Sequence, residues 1–123
     1  DLAIVLWDEI RSIKDPEVRK GLLTRLASNM ASMYKPRMHG RNADEKMASL
    51  ANILADRRVP VQTGKHNGLP ILKVMDCPYP ELAEKDRGIC AVEKMLFSQL
   101  LEQDVKLSEC RLEGFSCCQF ETN

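Results

Sequence analysis

Val61-Gln62-Thr63-Gly64-Lys65-His66-Asn67-Gly68-Leu69-Pro70-Ile71-Leu72-Lys73-Val74-Met75 is the stretch where the chain changes its period. Before it, apolar residues recur every three to four positions. Within it they gather into two short runs, Val61-Gln62-Thr63 and Leu69 to Met75, on either side of a glycine-bounded segment. The expected structure is a hairpin with Gly64-Lys65-His66-Asn67-Gly68 as its loop. Pro70 marks an edge strand or a strand start, because it has no amide to donate. His66 falls in the loop and reads as exposed, not as a ligand; so does His39 beside Gly40.

Three amphipathic stretches lie upstream. Residues 2–13 read as a helix with Leu2, Leu6, Ile10 and Ile13 on one stripe. Ile4, Val5 and Trp7 widen that stripe until little of the first two turns is polar. Such a helix needs cover on several sides, from its own domain or from a second subunit. Asp15-Pro16-Glu17 starts the next helix with a capping carboxylate, a proline at the first helical position and an acid in the first turn. Val18, Leu22, Leu26, Met30 and Met33 form its apolar stripe, and Lys35-Pro36 stops it. Asn42 with Glu45 resembles a capping box. Met47, Leu50, Ala51 and Leu54 follow, and Arg57 and Arg58 sit at that helix's negative end.

Downstream of the hairpin, Pro78 to Glu84 reads as a short helix. Ile89 to Glu102 reads as a longer one, with Ile89, Val92, Leu96, Phe97 and Leu100 facing a core. Val105–Leu112 and Phe115–Glu121 form a second hairpin that turns at Glu113-Gly114. The order is three helices, two strands, helix, two strands. It predicts an α+β fold: N-terminal helices followed by a mostly antiparallel four-stranded sheet, with a helix inserted between the two hairpins. Residues 1–40 divide off as an N-terminal helical hairpin from an α+β unit at 41–123.

The 123 residues are enough for one domain, and 44% of them are hydrophobic, which supplies a core. Lys plus Arg and Asp plus Glu each total 18, so there is no basic excess of the kind a stand-alone nucleic-acid-binding domain carries. No apolar run is long enough to span a bilayer, so no membrane partner is expected. The apolar start lacks the preceding basic region of a signal peptide. It also lacks an initiating Met and reads as a piece of something longer. Five cysteines is an odd count for a disulfide framework. With six methionines and a helix-rich pattern, it suits a cytoplasmic protein with reduced thiols.

The cysteines carry the chemistry. There is no Ser–His–Asp grouping and no phosphate-cradling glycine loop, and the carboxylates are scattered, so no enzyme is expected. Cys77 closes a strand, and Cys90 opens a helix, whose positive end favours the thiolate. Cys118 lies on the last strand. Thiolates are the preferred ligands of iron–sulfur clusters and of zinc. With Glu113-Gly114 as a two-residue turn, Cys110 faces Cys117, and Cys118 points to the other side of the sheet. The competing readings are buried thiols acting as small hydrophobes, and a zinc site completed by Asp76, a histidine or water. A glutaredoxin-like thiol at Cys77-Pro78-Tyr79-Pro80 lacks the resolving cysteine, because Pro80 stands in its place.

Three phrases carry a family resemblance: Lys46-Met47-Ala48-Ser49-Leu50-Ala51-Asn52-Ile53-Leu54-Ala55-Asp56-Arg57, then Cys77-Pro78-Tyr79 with Cys90, then Glu109-Cys110-Arg111-Leu112-Glu113-Gly114 with Cys117-Cys118-Gln119-Phe120. From Met47 onward the chain resembles the effector domain of winged-helix transcriptional regulators of the DeoR- or ArsR-like type. It is closest in pattern to iron–sulfur repressors of the Suf cluster-assembly operon. The helices before Met47 resemble that family's connecting region more loosely. The resemblance implies a homodimeric sensor domain with Cys77, Cys90 and Cys118 as ligands of an iron–sulfur cluster, or of zinc as the alternative. It implies DNA binding only through an N-terminal winged helix-turn-helix that these residues do not include. The family sometimes has a further cysteine four residues before the first; here that residue is Lys73. A more distant resemblance, to vinyl-reductase-type domains, implies a small-molecule-binding α+β fold; a purely structural interaction domain is the remaining alternative.

Overall fold

The computed structural model describes residues 2–75, 87–110 and 118–122. The expected α+β architecture is present. Helices α1 (Leu2–Arg11), α2 (Pro16–Tyr34) and α3 (Ala43–Asp56) come first, with a 3-10 turn at Lys35–Arg37. Strands β1 (Val61–His66) and β2 (Leu69–Val74), helix α4 (Gly88–Leu101), and strands β3 (Val105–Glu109) and β4 (Cys118–Thr122) follow. The sheet is antiparallel in the order β1-β2-β4-β3. The Pro78–Glu84 helix and the Glu113-Gly114 turn lie outside the described residues.

The helix starts follow from their caps. Asp15 accepts a hydrogen bond from the Glu17 amide, with Pro16 in the first turn. Asn42 Oδ1 accepts from the Glu45 amide at 2.9 Å, and the Glu45 carboxylate reaches back to the Arg41 amide at 2.7 Å. The box thus closes one residue earlier than the usual reciprocal pair. Gly40 makes that closure fit. Its φ is +121°, and a Cβ there would sit 2.6 Å from the Glu45 Cβ and 2.9 Å from backbone atoms of Glu45 and Lys46.

The first hairpin is tighter than its composition implies. β1 runs through Gly64, Lys65 and His66, and only Asn67 and Gly68 turn the chain, with φ of 55° and 78°. Two positive-φ residues in an Asn-Gly pair match the twist of the strands they join, so the two-residue turn displaces the five-residue loop. His66 is therefore a strand residue. Its ring Nδ1 lies within hydrogen-bond distance of Glu121 Oε1 on β4, across the sheet face opposite the helices.

Two expected stripes are shifted. On α2 the buried seam is Leu23, Ala27 and Ala31, while Val18 and Met33 are exposed. The two alanines let α2 lie close along α4, where Gln99 donates to the Ser28 hydroxyl. On α1, Trp7 is buried with Ile4 and Ile10 beside it, and Leu2, Val5 and Leu6 face outward. The indole carries the largest apolar area on that helix, and its burial sets the helix rotation.

The main core lies between the sheet and the helices. Leu72, Val74 and Phe120 meet Met47, Leu50, Leu54, Leu96, Phe97 and Leu100. A second cluster of Trp7, Leu23, Ala27, Ile89 and Val92 joins α1 and α2 to the start of α4. Among the described residues, no helix is long and apolar enough to cross a membrane.

Candidate metal centre

Cys90 occupies the first turn of α4, where its amide bonds the Arg87 carbonyl at 3.0 Å. The helix forms because Ile89, Val92, Leu96, Phe97 and Leu100 repeat at helical spacing and are all buried. Cys90 itself is half-buried and packs against the Trp7 cluster. Cys118 is the first residue of β4, half-buried, opposite Val74 of β2 and packed on the main core. Cys77 and Cys117 lie outside the described residues.

Glu93 also belongs to α4. It lies one helical turn beyond Cys90, where side chains three apart are neighbours. It lines a cavity of about 20 Å³, room for one water, with Met30, Leu54, Arg57, Val59, Val74, Leu96 and Phe97. Val74 in this wall is the cross-strand partner of Cys118. One turn further along α4, Phe97 meets Phe120 edge-on, with ring centroids 4.8 Å apart. Phe120 shares its face of β4 with Cys118, two residues away. Neither Cys90 nor Cys118 lines this cavity: Cys90 packs with the Trp7 cluster and Cys118 with the main core.

The Glu93 carboxyl is unusual. Its Oε1 is sealed from solvent with no hydrogen-bond partner among the described residues. Burial pushes its pKa up to about 7, against the opposing pull of the Arg57 cation. Arg57 is exposed as a residue, yet its guanidinium stands over the Tyr34 ring at 5.4 Å. Position 93 lies on the α4 wheel between 89, 92, 96 and 97, all buried, and this was the sequence signal for a buried acid.

The register of the second hairpin shifts along β3. Val105, Lys106 and Leu107 pair with Thr122, Glu121 and Phe120, as a two-residue turn requires. Then Glu109, not Ser108, pairs with Gln119. Ser108 is the extra residue of a β-bulge, and its hydroxyl donates to the Gln119 carbonyl at 3.2 Å. One extra residue inverts the inside–outside alternation beyond it. Cys110, just past β3, is 3% exposed, and its expected partner Cys117 lies outside the described residues.

The donor type suits soft metals: one thiol stands at a helix start and one at a strand start, packed against two different apolar clusters. Among the described residues, no three His, Cys, Asp or Glu side chains already stand together as a group able to hold a metal ion. Those residues include Cys90, Cys110 and Cys118. Elsewhere, a polar cleft of about 360 Å³ is lined by Lys35, His39, Lys46, Gln99 and Glu102, with Lys46 already paired to Glu102. No family model matches the chain, and no curated protein matches it.

Proposed function

We propose that this chain is the effector-sensing and dimerisation portion of a winged-helix transcriptional regulator, holding an iron–sulfur cluster or zinc on Cys77, Cys90 and Cys118. The observation that carries the reading is that Cys90 stands half-buried in the first turn of α4 and Cys118 half-buried at the start of β4, opposite Val74, the last residue of β2 before Cys77. Cys77 follows Val74 by three residues, a reach of about 11 Å at most in fully extended chain. Each thiol releases its proton as its sulfur binds metal, so occupancy is coupled to pH and to folding. When bound, the group crosslinks the start of α4 to the sheet and its surroundings. Ile89 and Val92 of that same turn pack on Trp7, Leu23 and Ala27, which carries a shift there to α1 and α2. DNA is contacted through a winged helix-turn-helix supplied outside these residues.

The outward line of α1 supports a homodimer. Leu2, Val5 and Leu6 are 71%, 57% and 54% exposed at helical spacing, a face that a second copy would cover. Anaerobic expression tests the whole reading. Iron with sulfide, or zinc, is expected in proportion to protein. Cys90→Ser and Cys118→Ser each reduce it to background. A parent chain free of both, or variants with undiminished content, would leave the cysteines as core packing. Sedimentation of the parent at micromolar concentration is expected to give a dimer; a monomer contradicts the α1 interface.

A further inference from the structure

We infer that the free edge of β1 pairs with β1 of a second copy of the chain, antiparallel and centred on Thr63. The contact is independent of the metal site and of the α1 face. Asn67 and Gly68 form a two-residue turn, so His66 and Leu69 close it as a hydrogen-bonded pair. The bonded pairs continue at Gly64 with Ile71 and Gln62 with Lys73. Two features fix this phase. Pro70, which has no amide, stands opposite Lys65 at an unbonded step. The Met75 amide donates to the Pro60 carbonyl at 2.9 Å, the next bonded step beyond Gln62. The N–H and C=O groups of Val61, Thr63 and Lys65 therefore point out of the sheet edge, and no hydrogen bond within the described residues reaches them. Gln62 through His66 are all exposed.

The two edges of the sheet differ. β3, at the far edge, carries the Ser108 bulge and the charges of Lys106 and Glu109, devices that discourage strand addition. β1 has an unbroken register, no proline and one permanently charged side chain, Lys65, whose Nζ is held 3.3 Å from the Asp44 carboxylate on α3. A second β1 matches this edge in backbone and in charge. The outward groups are symmetric about Thr63, so a two-fold axis there pairs Thr63 with the partner's Thr63, Val61 with the partner's Lys65, and Lys65 with the partner's Val61. Each pair exchanges two hydrogen bonds, which uses every outward donor and acceptor. Lysine meets valine and never lysine, so no like charges stand opposite, and the central threonine pair is a favourable cross-strand match. These side chains lie on the helix face of the sheet, where Thr63 and Lys65 border a groove of about 270 Å³ with Asp44, Met47 and Ala48. The partner's Val61 enters that groove beside Lys65. A single pair of six-residue strands buries less than the roughly 1,200 Å² of a stable interface, so the contact is reversible and concentration-dependent.

Sedimentation over a concentration series, with hydrogen exchange of the full chain, tests this. Between micromolar and near-millimolar protein the mass of the species present is expected to double, whether that species is a monomer or an α1 dimer. The amides of Val61, Thr63 and Lys65 are expected to exchange more slowly as concentration rises. Thr63→Pro removes only an outward amide, which an edge strand tolerates, so the hairpin is expected to survive and the doubling to be lost. Thr63→Lys sets like charges at the two-fold axis and is also expected to abolish doubling, whereas Thr63→Val keeps it. Circular dichroism reports folding; if neither Thr63→Pro nor Thr63→Lys folds, the exchange of the parent's amides decides. A mass that never doubles, or doubling undiminished in the folded Thr63→Pro and Thr63→Lys variants, would overturn the inference. So would protection of the three amides that is independent of concentration, because a segment of the chain itself would then cover the edge.

Discussion

Phe120→Ala is expected to lower the unfolding free energy by about 4 kcal/mol, the middle of the range for removing a buried phenylalanine. Phe120 is 2% exposed, pairs across the sheet with Leu72 and Leu107, and meets Phe97 edge-on. Its removal leaves a void where the helix layer meets the sheet, and close-packed neighbours fill such a void only in part. A domain of this size has about 5–15 kcal/mol of stability in all, so the variant stands near the edge of folding. Urea unfolding followed by circular dichroism measures the change. Phe97→Ala and the double variant complete a cycle, and a coupling of about 0.5–1.5 kcal/mol is expected from the ring pair. A loss below about 1 kcal/mol for Phe120→Ala would mean that α4 does not rest on β4 as described.

Glu93→Gln is expected to change how stability depends on pH. The Glu93 carboxyl titrates at about 7 in the folded chain against 4.5 for an ordinary glutamate, with burial the cause. Between those values the unfolded chain has released the proton and the folded chain keeps it. The unfolded state therefore binds fewer protons, and this group makes stability fall as pH rises from 4.5 to about 7, with no further change above. The total is about 3 kcal/mol. Glutamine stays neutral throughout, so the variant's stability relative to the parent should rise by up to about 3 kcal/mol between pH 4.5 and pH 8. A buried amide without a partner costs about 1–3 kcal/mol at every pH, which shifts the whole curve and leaves the pH-dependent difference intact. Thermal or urea unfolding at the two pH values gives the answer. Parallel parent and variant curves would mean that Glu93 is ionised and solvated.

How much could be read in advance depended on how local the determinants were. The caps at Asp15 and Asn42 act within one turn, and both appear where the sequence puts them. The element order, and with it the α+β class, followed from a change of apolar period that needs no tertiary information. The Asn67-Gly68 turn was also present in the sequence, but the flanking Gly64 and polar residues gave it the look of a longer loop. Helix rotation was not legible. The choice of Trp7 over Leu2 and Leu6, and of Ala27 and Ala31 over Val18 and Met33, depends on how closely α4 approaches. The Ser108 bulge leaves no local mark, because any residue fits there and the sheet decides. The element positions of Cys90 and Cys118 were therefore readable, and the register shift at Ser108 was not.

Extended X-ray absorption on the anaerobically zinc-loaded chain tests the shared sulfur site most directly. The expected first shell is mainly sulfur, about three atoms at about 2.3 Å, with one zinc per chain. A first shell of nitrogen and oxygen, or zinc bound through a single sulfur, would contradict it.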